Sequence, residues 1–104
     1  MPQSLTSVLV TGSNQGLGFH LVQKLMNQAN SLHIYVGARS MEKAAEAVRV
    51  LRETTTTTRD SVHLEPIVID LTIDSTIEAA VEQMSSLDIL VNNAGAFSVY
   101  HPFG

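Results

Sequence analysis

A chain of 104 residues that is 44% hydrophobic and 15% charged has the composition of one soluble globular domain; it is neither a disordered tail nor a membrane span, and it can bury a core while leaving little material for a second lobe. Its net charge of -4, with only six scattered lysines and arginines, argues against a nucleic-acid surface and offers no polybasic strip for anionic lipid. With no cysteine, a disulfide scaffold, a zinc-thiolate cluster and a thiol nucleophile are excluded, and Met1-Pro2-Gln3-Ser4 lacks the basic segment and apolar block of a secretory signal, so a cytoplasmic location is expected.

The first expected element is a strand, Leu5 to Val10, running into the glycine-rich stretch TGSNQGLG from Thr11 to Gly18. A helix follows, because Leu17, Leu21, Val22 and Leu25 recur at three- and four-residue intervals with Gln23, Lys24 and Asn27 on the other side. Leu32 to Ala38 reads as a second buried strand. Ser40 is placed to cap a second helix whose Ala44, Ala47, Val48 and Leu51 form an apolar face while Glu42, Lys43, Glu46 and Arg49 stay in water. Five threonines, Thr54 to Thr58, then read as a surface loop, since β-branched polar residues favour neither a continuing helix nor a core.

A third strand is expected over His63 to Asp70, and Pro66 within it is the mark of a sheet edge. Thr72 is the expected cap of a third helix carrying the stripe Ile73, Ile77, Ala80, Val81 and Met84, and Leu87 to Val91 reads as a short fourth strand. Strand and helix thus alternate, which calls for parallel strands joined by right-handed crossovers. The expectation is an incomplete α/β Rossmann-type doubly wound sheet of four strands in the order 3-2-1-4 with three helices, one domain over residues 1–104. Its ligand crevice lies between the carboxyl ends of strands 1 and 4.

The glycine turn is the candidate site. Unpaired amides at a helix start point at an anion and the helix dipole favours negative charge there. Gly12 would make the turn, Gly16 would admit a pyrophosphate and Gly18 would let the helix pack on the strand. The spacing Gly-x-x-x-Gly-x-Gly is not the usual Gly-x-Gly-x-x-Gly, and it is not a P-loop, because Gly16 is followed by Leu17-Gly18 and no Lys-Ser/Thr pair. A plain glycine-rich connection is the alternative. An α/β methyltransferase fits poorly, since its first loop follows an acidic strand end and here Val10-Thr11 stands there.

TGSNQGLG, GARS, Asp70-Leu71 and NNAG (Asn92 to Gly95), in this order and at these separations, resemble the N-terminal half of a short-chain dehydrogenase/reductase, with a look closest to carbonyl-reductase-type members. The resemblance spans Leu5 to Gly95. It implies that Gly12, Gly16 and Gly18, with Leu17 among them, line the pyrophosphate and adenosine side of a nicotinamide dinucleotide. It further implies that Asp70 and Leu71 border the adenine, that Asn92 ties the central strands, and that Ala94 and Gly95 lend backbone near the adenosine ribose. Full-length members of that family are often oligomeric.

Arg39 carries separate information. It lies about 20 residues past the glycines, where an acid would bond the ribose 2′-hydroxyl of NAD. A guanidinium there pairs instead with a 2′-phosphate, so NADP(H) is expected over NAD(H), with Ser13 and Asn14 as further donors to that phosphate. The plain alternative is a solvated arginine at a helix start.

Carbonyl reduction needs a positioned proton donor, which this family draws from a serine and a Tyr-x-x-x-Lys pair. Neither Tyr35 nor Tyr100 is followed four residues later by lysine, so no catalytic residue is assigned. His20, His33, His63 and His101 are dispersed without ligand spacing, and no metal is expected. Three readings stay open: the NADP(H)-binding part of an oxidoreductase, a non-catalytic nucleotide- or partner-binding module, and a truncated product without function. In the first, strand 4 is left an exposed edge and one sheet face is poorly covered.

Overall fold

Valine, isoleucine and leucine on both faces of the central strands decide the layering. In the computed structural model, which describes residues 5–28, 31–54 and 62–93, β1 (Thr6–Val10) and β2 (Leu32–Ala38) are buried along nearly their whole lengths. Side chains alternate across a strand, so Val8, Val10, Ile34 and Val36 point into one core and Leu9 and Tyr35 into another. The first core is closed by Val22 and Met26 of α1 (Gly16–Gln28) and by Ala47, Val48 and Leu51 of α2 (Met41–Thr54). The second holds Ile67 and Ile69 against Ala80 of α3 (Asp74–Gln83).

β3 (Val62–Val68) and β4 (Ile89–Val91) complete one sheet in the order β3-β2-β1-β4, every pair parallel. Val8 stands between Ile34 and Ile89, and Val10 between Val36 and Val91. The order and the parallel pairing are those the strand-helix alternation requires. Since all four strands run the same way, the glycine turn, Arg39, Asp70 and Asn92 are brought to one end of the sheet.

The structure departs from the sequence reading in several local ways. Leu17 is 75% exposed: it sits in the first turn of α1, and the buried face of that helix is Gly18, Val22 and Met26, with Leu21 and Leu25 packed partly against it. Ile73 and Val81 are also exposed, leaving Ala80, Ile77 and Met84 as the packed stripe of α3. Thr72 does not cap α3. Its amide and hydroxyl both turn back to Asp70 Oδ1, at 3.0 and 2.6 Å, and the N-cap position is Ile73 with no side-chain cap. Thr54 ends α2 rather than opening a loop, its hydroxyl bonding the Val50 carbonyl at 2.8 Å. Thr55 to Thr58, the N-terminal Met1 to Ser4 and the tail from Ala94 lie outside the described residues.

Candidate functional site

The turn from β1 to α1 is built by its own small residues. Gly12 and Gly16 adopt φ of 61 and 65°, in the left-handed region where a side chain is strained. Between them Ser13 is fully buried; its hydroxyl donates to the carbonyls of Val10 (2.8 Å) and Gly37 (3.2 Å), and its amide also bonds Gly37 at 2.9 Å. Both donors of Ser13 therefore fasten the turn to the end of β2. Asn14 is half-buried and Gln15, Gly16 and Leu17 are exposed, so the outer rim of the turn faces solvent.

β4 holds the turn from the other side. The Thr11 amide bonds the Val91 carbonyl at 3.1 Å, and its hydroxyl is shared between that carbonyl and Asn92 Oδ1 at 3.4 and 3.3 Å. Asn92 thus links the end of β4 to the residue that follows β1. Asn93 is a site residue the sequence reading passed over: its Nδ2 donates to the Gly12 carbonyl at 3.2 Å. A Cβ on Gly18 would stand 2.7 Å from that carbonyl and 2.9 Å from Asn93 Nδ2, so only glycine lets the helix, the turn and the end of β4 meet. The Asn-Asn pair in NNAG was visible in the sequence; that its second member latches the turn depends on the register of β4 on β1.

At the end of β2, Gly37 packs against the Val10 carbonyl, where a Cβ would stand at 3.0 Å, and brings the chain past the turn to Arg39, which is exposed. The amide of Ile69 bonds the Ala38 carbonyl at 2.8 Å, which places Arg39 beside the start of the β3-α3 loop. There the Asp70 carboxyl is held below its ordinary pKa, chiefly by the Thr72 hydroxyl, then by the Thr72 amide, with some help from the Arg39 charge against a small opposing effect of burial. Leu71 follows it, part-exposed at 39%. Thr76 closes the loop, its hydroxyl within 2.9 Å of both the amide and the carbonyl of Asp70.

The structure therefore collects Gly12, Asn14, Gly16, Gly18, Arg39, Asp70, Leu71 and Asn92 around the carboxyl ends of the strands. It commits Ser13 to the scaffold. Ala94 and Gly95 lie outside the described residues. Away from this end, His33 Nε2 and Glu65 Oε1 are 2.9 Å apart, and Gln83 donates to Glu65 Oε2 at 2.8 Å, which joins β2, β3 and α3. Among the described residues no group of three His, Asp or Glu side chains is arranged to hold a metal ion.

Comparison with known proteins adds four findings. The family described as short chain dehydrogenase matches residues 6–103. A short-chain dehydrogenase of Penicillium roqueforti, anuI, is 48% identical over 92 residues, covering 85% of this chain and 34% of that protein. A short-chain dehydrogenase/reductase of Aspergillus fumigatus is 41% identical over 98 residues, covering 90% and 36%. Among solved structures, L-sorbose reductase from Gluconobacter frateurii, in complex with NADPH and L-sorbose, superposes with a TM-score of 0.70 at 29% identity, covering 89% of this chain and 34% of that one. The chain thus spans about a third of the length of the curated relatives it matches. Among the described residues no helix is long and apolar enough to cross a membrane.

Proposed function

This chain belongs to the short-chain dehydrogenase family, and from that premise we propose that it forms the part of an NADP(H)-dependent oxidoreductase that holds the pyrophosphate and the adenosine half of the cofactor. Gly12, Asn14, Gly16, Leu17 and Gly18 line the phosphates, Asp70 and Leu71 border the adenine, Ala94 and Gly95 back the ribose, and Asn92 ties the central strands. When bound, the cofactor supplies or accepts the hydride that interconverts a carbonyl and an alcohol. The protein's own contribution within these residues is binding and orientation: a rigid turn, a helix start free of acidic residues in its first turn, and a cation at the end of β2.

The observation that carries the cofactor choice is Arg39. It is exposed at the strand end where an NAD-binding sheet presents an acid, and it can pair with a 2′-phosphate by charge-assisted hydrogen bonds. The NADPH seen in L-sorbose reductase supports the same choice. Replacement Arg39→Asp is expected to weaken NADPH binding by about tenfold or more while NADH binding holds or improves; equal losses for both cofactors in fluorescence titrations would defeat the NADP(H) assignment.

The proton donor required for turnover is absent from residues 1–104, which contain no Tyr-x-x-x-Lys. The chain on its own is therefore a nucleotide-binding module, in the cytoplasm, and carbonyl-dependent oxidation of NADPH by it is expected to stay at the uncatalysed rate. Sustained turnover by the purified chain contradicts this. Absence of both cofactor binding and cooperative unfolding is the result expected of a truncated product without function.

A further inference from the structure

The four histidines are dispersed along the sequence, but the parallel register of β2 on β3 brings two of them side by side: His33 is the cross-strand partner of His63. Their ring centres lie 6.5 Å apart with the planes tilted by 59°. Glu65, two residues further along β3 and therefore on the same face, completes the cluster, its Oε1 2.9 Å from His33 Nε2. We propose that His33 and His63 are the imidazole ligands of a site for a divalent late first-row transition ion such as Zn(II), at the end of the sheet opposite the glycine turn. The site is independent of the cofactor reading.

The hydrogen bonds prepare His33 as a ligand. A carboxylate can only accept, so His33 Nε2 carries the proton and donates it to Glu65. A neutral imidazole that donates at Nε2 keeps its lone pair at Nδ1, and among the described residues His33 makes no other hydrogen bond. Metal-bound histidines are oriented in the same way: the far ring nitrogen donates to a carboxylate, which fixes the tautomer and raises the basicity of the ligating nitrogen. Glu65 is held in turn, because Gln83 of α3 donates to its Oε2 at 2.8 Å. The His33 ring also stacks on Tyr35, with centres 4.3 Å apart and 23° between planes. One ligand is thus in place before the ion arrives, which lowers the cost of binding.

His63 supplies the adjustable half. Two Zn–N bonds of about 2.0–2.1 Å at a tetrahedral angle set the ring centres about 5 Å apart. The present 6.5 Å closes by rotation of His63, which is exposed and makes no hydrogen bond to a described residue. Two protein ligands are fewer than the three or four of a catalytic or structural zinc site, so water fills the other positions. That agrees with the lack of any three-residue metal group among the described residues. Imidazole selects Zn(II), Ni(II) and Cu(II), whereas Mg(II) prefers oxygen ligands. The chain charge of -4 and the Glu65 carboxylate beside the pair favour a cation at this place.

The test is a calorimetric titration of the 104-residue chain with Zn(II) and, separately, with Mg(II), alongside melting curves with and without each ion. The unaltered chain is expected to bind Zn(II) saturably, to release it to EDTA, and to melt at a higher temperature when it is bound, because the ion binds only the folded pair. Mg(II) should do none of this. His63→Thr should abolish the saturable binding and the Zn(II)-dependent rise in melting temperature. His63 is exposed and threonine suits a strand, so the metal-free melting temperature should hold and a folding defect is separable. His33→Ala should abolish binding as well, with some loss of metal-free stability because the stack on Tyr35 goes too. Glu65→Gln keeps both imidazoles and should weaken Zn(II) by about tenfold. The site is overturned if the unaltered chain shows no saturable Zn(II) binding, if binding survives in His63→Thr, or if Mg(II) binds equally well. Unchanged affinity in Glu65→Gln would overturn the orienting role given to that carboxylate.

Discussion

Gly16 and Gly18 are two residues apart and are glycine for different reasons, which mutation can separate. At Gly16 the φ is 65° and a Cβ would meet nothing within 4 Å, so Gly16→Ala is charged only the left-handed backbone, about 1 kcal/mol. At Gly18 a Cβ would stand 2.7 Å from the Gly12 carbonyl and 3.0 Å from Ser13 Cα. Backbone atoms cannot rotate away, so Gly18→Ala should cost about 1–3 kcal/mol in chemical denaturation and also displace the turn that faces the ligand. A larger loss at Gly16 than at Gly18 would contradict this assignment. The packing role of Gly18 was legible from spacing alone, whereas the role of Ser13 was not: a serine beside a phosphate turn reads equally as a ligand or as a strut, and only the approach of Gly37 decides for the strut. Asp70 gives a second check at this scale. Thr72 is the main cause of its depressed pKa, so Thr72→Val should move the Asp70 carboxyl titration, followed by NMR, up toward its ordinary value. A depressed folded pKa means that the Asp70–Thr72 contact stabilises the loop above the ordinary aspartate value of about 4 and is lost as the pH falls through the lower folded one.

Among the elements, α2 was the most legible and α1 and α3 less so. The 14 residues of α2 keep one period throughout, and all four residues expected inside, Ala44, Ala47, Val48 and Leu51, are buried. α1 starts at the glycines themselves, and Leu17 in its first turn is exposed, outside the buried face of Gly18, Val22 and Met26. Periodicity alone cannot say where the sheet ends. At α3, a threonine in cap position found a stronger partner in the Asp70 carboxylate than in the helix amides, since bonds to a charged acceptor outweigh neutral ones. The same helices show which contacts hold the fold. Leu51 is fully buried between α2 and the sheet, so Leu51→Ala should cost about 2–5 kcal/mol in unfolding free energy. On the opposite face Arg49 bridges Glu46 and Glu53 with its side chain 53% exposed. Exposed ion pairs add little, and Arg49→Ala should leave the melting temperature nearly unchanged. A comparable loss in both variants would mean that the surface pairs, not the core, set the stability of α2.

For the molecule as a whole, the two edges of the sheet are treated in opposite ways. The order β3-β2-β1-β4 was legible because strand-helix alternation admits few arrangements, and Pro66 was a sound marker of the β3 edge. That edge is guarded: Pro66 has no amide to offer, its carbonyl accepts from Gln83 Nε2 at 3.2 Å, and the Leu64 carbonyl accepts from the Arg52 guanidinium at 3.1 Å. At β4 the outer side presents Ile89 and Leu90 at 48 and 57% exposure, and no charged residue stands within the strand itself. Unguarded apolar edges pair with whatever strand is available. In a preparation of this chain alone the available strand is β4 of a second copy, so sedimentation velocity should show a rising mean sedimentation coefficient over a tenfold rise in concentration. Leu90→Lys places a charge on that edge, and because Leu90 is already more than half exposed the substitution should flatten the concentration dependence with little change in the unfolding midpoint. A wild-type chain that stays monomeric at every concentration would show that β4 is covered from within the chain, and residues beyond 93 would then be the place to look for its cover.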